Sequence, residues 1–159
     1  KQNRILKIMN RETKQKKGLK FESFIMDWFA KEKNINLSHY TTLEEQIHKG
    51  ENRQGIEIKN DQMFKNTGNL FISVEREYDY TTYASGIFKN QSWLYVIGDK
   101  ECFYIFSTKQ LQQIYNGNKP KLYNGFKTLK GGTEKGFLLN KTMADKYCIE
   151  KINIQTKLF

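Results

Sequence analysis

The stretch Gly55-Ile56-Glu57-Ile58-Lys59-Asn60-Asp61 decides how this chain is interpreted. In a β-strand, successive side chains point to opposite faces, with a period of two residues. The alternation predicts that Ile56 and Ile58 point into a core, while Glu57 and Lys59 point together from the opposite face. A carboxylate and an ammonium group on one face can hold a metal ion and a reacting phosphate side by side. The alternative is an ordinary surface ion pair, which contributes less than about 1 kcal/mol.

Length and charge limit the possible function classes. The chain has 159 residues, which fits one domain with its own core, here residues 1–159. Its formal charge of +10 is typical of proteins that bind nucleic acid or an acidic membrane surface. No apolar run reaches the roughly 18 residues of a membrane span, so we expect no membrane partner. Two cysteines exclude a disulfide scaffold, and the two histidines lack zinc-site spacing.

One amphipathic helix is predicted over residues 19–33. Its apolar residues recur at helical spacing and form one broad face; they are Phe21, Phe24, Ile25, Trp28 and Phe29. Residues 1–20 contain eight basic residues and one acidic residue, so they are either a basic helix or a mobile arm.

The remaining elements follow from alternation, apolar runs and turn residues. Ser107 and Gln110 predict a capped helix that ends at Gly117. The strands at 56–60 and 69–77 are expected to form an antiparallel pair. Further strands are predicted at 93–97, 102–106 and 147–154. The order of these elements predicts an α/β (α+β) domain, with a mixed β-sheet flanked by helices.

Residues 18–111 resemble the PD-(D/E)XK nuclease superfamily, which has the restriction-endonuclease-like fold. The resemblance rests on the helix at 19–33, the triplet Glu57-Ile58-Lys59 and the strand that follows it. It extends to three further stretches: Thr67-Gly68-Asn69-Leu70-Phe71-Ile72, Ser85-Gly86-Ile87 and the strand from Trp93 to Asp99. It implies a restriction-endonuclease-like core at about 18–111, preceded by a basic segment at 1–17 and followed by a basic extension at 118–159.

The resemblance also implies roles for particular residues. Glu57 would be a metal ligand and Lys59 the catalytic lysine. The family usually has an Asp upstream of this triplet, whereas the available acids here are Glu51, the first choice, and Glu45, the second. Glu22 matches the acid that many members place on the first helix. The implied cofactor is Mg²⁺, for which Mn²⁺ can substitute.

These roles predict a metal-dependent deoxyribonuclease that hydrolyses phosphodiester bonds in phage or bacterial DNA processing or restriction. DNA would be its partner, a homodimer is a further expectation, and the location would be the cytoplasm of a bacterial or phage-infected cell. The residues expected to bind the nucleic-acid backbone are Lys14, Lys16, Lys17, Lys49 and Arg53.

Three alternatives stay open from the sequence. The protein could be a nuclease that resolves branched DNA junctions. It could be a catalytically inactive DNA-binding protein on the same fold, because the upstream Asp is missing. It could also be an RNA-binding protein that stacks bases on Tyr78, Tyr80 and Tyr83. Asp61, which follows the triplet, is interpreted as a turn residue.

Overall fold

The structure is a computed structural model that describes residues 2–42, 44–45, 52–89, 92–127 and 131–155, with the backbone alone at 2–15 and at 126. The described residues form two four-stranded sheets with helices packed against them, so the predicted mixed α/β class is confirmed. The elements in chain order are α1 Gln2–Lys33, β1 Ile56–Asn60, α2 Phe64–Thr67, β2 Asn69–Tyr78, β3 Thr81–Ala84, a 3-10 turn at Gly86–Phe88, β4 Leu94–Gly98, β5 Cys102–Ser107, α3 Thr108–Asn118, β6 Tyr123–Lys127, β7 Thr133–Asn140, α4 Lys141–Tyr147 and β8 Glu150–Asn153.

Helix α1 is continuous from Gln2 to Lys33, which confirms the helical alternative for the basic segment. Phe21, Ile25 and Phe29 recur every four residues, and each is at most 2% exposed. They pack against the isoleucines of β1. Asn34 ends the helix in the left-handed conformation (φ 54°), which Asn adopts at lower cost than most residues.

The first sheet has the strand order β1-β4-β5-β8. Strand β1 runs parallel to β4, while the β4–β5 and β5–β8 pairs are antiparallel. Ile56 and Ile58 face α1, as the alternation predicts, and are 2% and 7% exposed. Phe103 of β5 completes this layer, with its ring centroid 5.2 Å from that of Trp28. Burying each such side chain contributes about 1.5–3 kcal/mol, so this layer fixes the helix on the sheet.

The second sheet has the strand order β3-β2-β7-β6 and is antiparallel throughout. Leu70, Ile72 and Val74 of β2 are buried against the face of the first sheet that α1 does not cover. Tyr95 and Ile97 of β4 belong to the same core. The structure is therefore layered, with α1 on one side of the first sheet and the second sheet on the other.

The predicted antiparallel pairing of 56–60 with 69–77 is wrong. Strand β1 pairs in parallel with β4, and β2 pairs with β3 and β7. Residues 61–68 do not form a tight hairpin turn, because they contain α2 and redirect the chain into the second sheet. Parallel strands need a connection of a dozen or more residues, and the segment at 61–93 provides it.

The later elements follow the sequence more closely. The Ser107 hydroxyl accepts a hydrogen bond from the Gln110 amide, as the predicted cap requires. Helix α3 ends at Asn118 rather than at Gly117. The strand predicted at 147–154 is shorter, because residues up to Tyr147 form α4. Within the described part of the chain, we find no helix long and apolar enough to cross a membrane.

A polar network joins β5, α4 and β8. The Tyr104 hydroxyl donates to Asp145 Oδ1 at 2.7 Å, and Lys151 Nζ lies 3.0 Å from the same oxygen. The hydrogen bond from Tyr104 and then that from Lys151 hold the pKa of Asp145 below its usual range. A lowered pKa means that the carboxylate stabilises the fold above the unfolded-state pKa, and that this stabilisation is lost as the pH falls through the folded-state pKa.

Because of this network, we expect the free energy of unfolding to depend on the ionisation of Asp145. The free energy of unfolding of the wild type should fall more steeply below about pH 4 than that of Asp145→Asn, which lacks the titrating group. Urea unfolding at a series of pH values measures the difference. Asp27→Asn serves as the control, because Asp27 makes no ion pair among the described residues. Identical pH profiles for the wild type and Asp145→Asn would show that the network contributes no such stability.

Candidate active site

Glu57 is a buried carboxylate paired with a lysine on the same strand face. It is only 3% exposed, and its Oε1 lies 2.6 Å from Lys59 Nζ. The Lys59 side chain is 33% exposed, so the ammonium group reaches toward solvent. Glu57 lies opposite Tyr95 in the strand register, which places it on the face toward the second sheet. The surface ion-pair interpretation is therefore wrong for Glu57.

The start of β1 is held by a buried asparagine. Asn52 is 2% exposed, and its side chain makes hydrogen bonds of 3.0 Å and 2.7 Å to the Ile56 amide and carbonyl. The Trp93 indole donates to the Gln54 carbonyl at 2.6 Å, and the Trp93 amide donates to the Gly55 carbonyl. These bonds fix the backbone immediately before Glu57, so the orientation of its side chain is set by its surroundings.

Asp61 is a turn residue, as the sequence predicts. Its Oδ1 accepts from the Met63 and Phe64 amides at 3.1 Å and 3.2 Å. Its Oδ2 accepts from the Phe71 amide at 2.9 Å. Both carboxylate oxygens are therefore used to join the end of β1 to α2 and β2, where they hold the motif strand against the second sheet.

Glu22 is not brought into contact with Glu57. Helix α1 packs on the face of β1 that carries Ile56 and Ile58, whereas Glu57 is on the other face. The Glu22 carboxylate instead lies 3.1 Å from His39 Nε2. A role for Glu22 at a metal held by Glu57 would require its carboxylate to reach the opposite face of β1.

Of the two upstream glutamates predicted as metal ligands, the structure describes only Glu45. Glu45 is helical, and its amide donates to the Thr42 hydroxyl. One carboxylate oxygen of Glu45, Oε2, is buried and has no hydrogen-bond partner among the described residues. A buried carboxylate oxygen without a partner is costly, and a bound cation would relieve that cost. Glu51 lies outside the described residues.

The predicted backbone-binding residues are only partly described. Lys16 and Lys17 are exposed on α1, and Arg53 is exposed with its guanidinium 5.4 Å from the Tyr40 ring centroid. The Lys14 side chain and the whole of Lys49 lie outside the described part of the chain. The described cations of this set therefore lie on α1 and in the turn that precedes β1.

The chain matches no protein-family model, no curated protein and no solved structure at a significant level. Membership of the PD-(D/E)XK superfamily therefore stays a prediction. Among the described residues, no three His, Cys, Asp or Glu side chains lie close enough together to hold a metal ion. Because Mg²⁺ is commonly held by one or two carboxylates with waters and substrate phosphates, Glu57 is chemically suited to be such a ligand.

The tyrosines proposed for base stacking lie at the tip of the β2–β3 hairpin. Tyr80 is 98% exposed, and Tyr78 and Tyr83 are about half exposed. Asp79 and Tyr80 both have positive φ angles, 49° and 62°, as a two-residue hairpin turn requires. A bulky residue such as Tyr80 rarely adopts this conformation outside turns. The exposed rings are available to a partner, as the RNA-binding alternative requires.

A second buried carboxylate was missed by the sequence analysis. Glu134 of β7 is 2% exposed and accepts hydrogen bonds from Arg76 Nε, at 3.0 Å, and from the Ser85 hydroxyl. Gly86, which follows Ser85, has a φ angle of 53°, and a Cβ atom at this position would overlap the Ser73 carbonyl. This cluster ties the 3-10 turn to β2 and β7. No local sequence signal marks Glu134, because its partners are 49 and 58 residues away.

Proposed function

We propose that this protein is a metal-dependent endonuclease that hydrolyses phosphodiester bonds in DNA. One observation carries the proposal: a carboxylate that is 3% exposed lies 2.6 Å from the ammonium group of Lys59, whose side chain is 33% exposed, on one face of β1. Burying a carboxylate is costly unless its charge is compensated, and here the Lys59 ammonium group compensates it. The surrounding hydrogen bonds of Asn52 and Asp61 hold that strand in place.

Each residue has a definite role in this proposal. Phosphodiester hydrolysis needs a positioned water, compensation of charge on the phosphate oxygens and stabilisation of the leaving oxygen. A bound Mg²⁺ supplies Lewis acidity and lowers the pKa of a coordinated water. Glu57 would hold that ion, and Glu45, whose Oε2 is buried, would be the second donor if it approaches Glu57. Lys59 would orient the water and place its positive charge beside the scissile phosphate.

DNA is the proposed substrate because the whole chain is basic. The formal charge of +10 favours association with a polyanion and makes affinity dependent on salt. Lysine contacts with phosphates carry little sequence information, so we expect binding without strong base preference. Action on DNA is consistent with the cytoplasm of a bacterial or phage-infected cell, and a homodimer stays part of the proposal.

A catalytically inactive DNA-binding protein is the second candidate. It is favoured by the placement of Glu22 on α1, which packs on the face of β1 opposite Glu57. In that case the Glu57–Lys59 pair would be a structural device inside the fold. Binding without cleavage separates this candidate from the first.

Cleavage assays decide between the two candidates. Purified protein is incubated with linear, circular, single-stranded and branched DNA in Mg²⁺, Mn²⁺ or EDTA. We expect cleavage of at least one substrate with either metal and none in EDTA, and preference for the branched form would identify a junction-resolving enzyme. DNA binding without cleavage of any substrate in either metal would favour the inactive protein.

A further inference from the structure

A lysine-lined cleft of about 220 Å³ lies beside the carboxyl end of β1. Three segments that are distant in sequence converge there: the middle of α1, the turn after β1 and the turn after β4. Two of its amide side chains follow the Glu57–Lys59 motif directly. The residues that carry the inference are Lys17, Lys20, Asn60, Gln62, Lys65 and Lys100.

The four lysines of this cleft have no ion-pair partners among the described residues. All four are exposed, and none makes an ion pair or hydrogen bond with another described side chain. Other lysines do find carboxylates, as Lys33 does with Glu150 at 2.8 Å. Unpaired like charges around one cleft repel each other, so an anion bound between them would be stabilised.

Two acidic residues also line the cleft, and they leave it positively charged. Asp99 Oδ1 accepts hydrogen bonds from the Glu101 and Cys102 amides at 2.9 Å and 3.0 Å, so its role is to shape the β4–β5 turn. Glu101 is exposed and forms no ion pair with the lysines among the described residues. Four positive charges thus face two negative ones. The amide groups of Asn60 and Gln62 add neutral hydrogen-bond donors.

The distance between the cleft and Glu57 can be compared with the spacing of phosphates along a DNA strand. Asn60 follows Glu57 by three residues, which corresponds to about 10 Å along a strand at 3.3 Å per residue. Each strand of B-DNA presents a phosphate about every 3.4 Å along the helix axis. The cleft includes α1 residues on the side of β1 opposite Glu57, so a DNA backbone with its scissile phosphate beside Glu57 would pass around the carboxyl end of β1 and place phosphates about three nucleotides away in the cleft.

We propose that this four-lysine cleft binds the backbone phosphates that flank the bond to be cut. The choice of ligand rests on the proposed function, because a cleft with these donors suits phosphodiester groups in general. Lys17 and Lys20 are separated by one helical turn and so lie on one side of α1. Lys65 of α2 and Lys100 of the turn after β4 line the same cleft. The cleft thereby adds Lys20, Lys65 and Lys100 to the contacts with DNA.

The test compares two triple variants that remove the same charge. The cleft variant is Lys20→Gln/Lys65→Gln/Lys100→Gln, and the control is Lys31→Gln/Lys109→Gln/Lys119→Gln, whose lysines are exposed and lie outside the cleft. Binding of a fluorescent DNA duplex is measured by anisotropy in EDTA, over a range of salt concentrations. Circular dichroism and thermal unfolding establish that both variants are folded.

The salt dependence gives the result. For B-DNA, each lost phosphate contact reduces the slope of log K against log salt by about 0.9. We expect the cleft variant to lose about two to three from this slope and to bind at least about tenfold more weakly at 0.1 M salt, with changes less than half as large in the control. Equal losses in both variants, or no loss in either, would overturn the proposal.

The same assay separates this inference from the proposed function. If the wild type never cleaves DNA but the cleft variant alone loses binding, the cleft stands and the nuclease proposal fails. If cleavage is metal-dependent but the two triple variants bind equally, the nuclease stands and the cleft fails.

Discussion

Replacing Glu57 by Gln should reduce metal-dependent DNA cleavage by at least about two orders of magnitude and leave the fold intact. The amide keeps the shape of the side chain but removes the charge that would hold the cation. Lys59, which is 33% exposed, can turn its ammonium group to water when its partner is neutral. Initial cleavage rates in Mg²⁺ measure the effect, and circular dichroism with thermal unfolding measures the fold.

The matched control for this variant is Glu150→Gln. Glu150 also pairs with a lysine, at 2.8 Å from Lys33, but both side chains are about 40% exposed and belong to α1 and β8. Removing the charge there should leave the cleavage rate unchanged. A folded Glu57→Gln protein that cuts DNA at the wild-type rate would exclude Glu57 from the catalytic machinery.

Replacing Lys59 by Gln should impair both activity and stability. Cleavage should fall by about two orders of magnitude, because the positive charge beside the phosphate is lost. Stability should fall by about 1–3 kcal/mol, because the variant leaves the buried Glu57 carboxylate without the cation at 2.6 Å. Urea unfolding at neutral pH measures the change in the free energy of unfolding.

The double variant Glu57→Gln/Lys59→Gln separates the two effects. It should recover most of the lost stability, because no buried charge remains, but none of the activity. Lys33→Gln, which breaks the exposed pair with Glu150, should cost less than about 1 kcal/mol. If Lys59→Gln costs no more than Lys33→Gln, the buried carboxylate does not depend on Lys59.

The local parts of this fold could be predicted from the sequence. Alternation in β1 places Ile56 and Ile58 toward α1 because neighbouring side chains in a strand must point to opposite faces. The proximity of Glu57 to Lys59 follows from the same rule, since residues two apart share a face. The cap of α3 at Ser107 was also predictable, because its partner, the Gln110 amide, is three residues away.

The pairing of strands could not be predicted, because it depends on distant segments. Strand β2 finds its partner in β7, more than 50 residues later, within a tail whose Lys and Gly residues gave no clear strand pattern. Once β2 pairs with β7, it belongs to the second sheet and leaves β1 to pair with β4. Gly136 of β7 also contributes, because a Cβ atom there would overlap the Ile72 carbonyl on β2.

The same difference between local and distant contacts applies to the site. The motif residues lie in one strand, whereas the lysines of the cleft come from three separate segments. The role expected for Glu22 depended on the side of the sheet that α1 covers, and helical periodicity does not fix that side. The burial of Glu57 was missed for a similar reason, because it requires the second sheet, whose β6 and β7 come from the tail.

A crystal structure with Mn²⁺ and a DNA duplex tests directly whether Glu57 holds the metal ion used in cleavage, because Mn²⁺ can be located by its anomalous scattering. The Glu57→Gln protein under the same conditions provides the control. We expect a metal ion at about 2.0–2.2 Å from a Glu57 carboxylate oxygen. A backbone phosphate should bind the same ion, and the ammonium group of Lys59 should lie beside that phosphate. Bound DNA with no metal ion at Glu57 in the wild type would contradict this expectation.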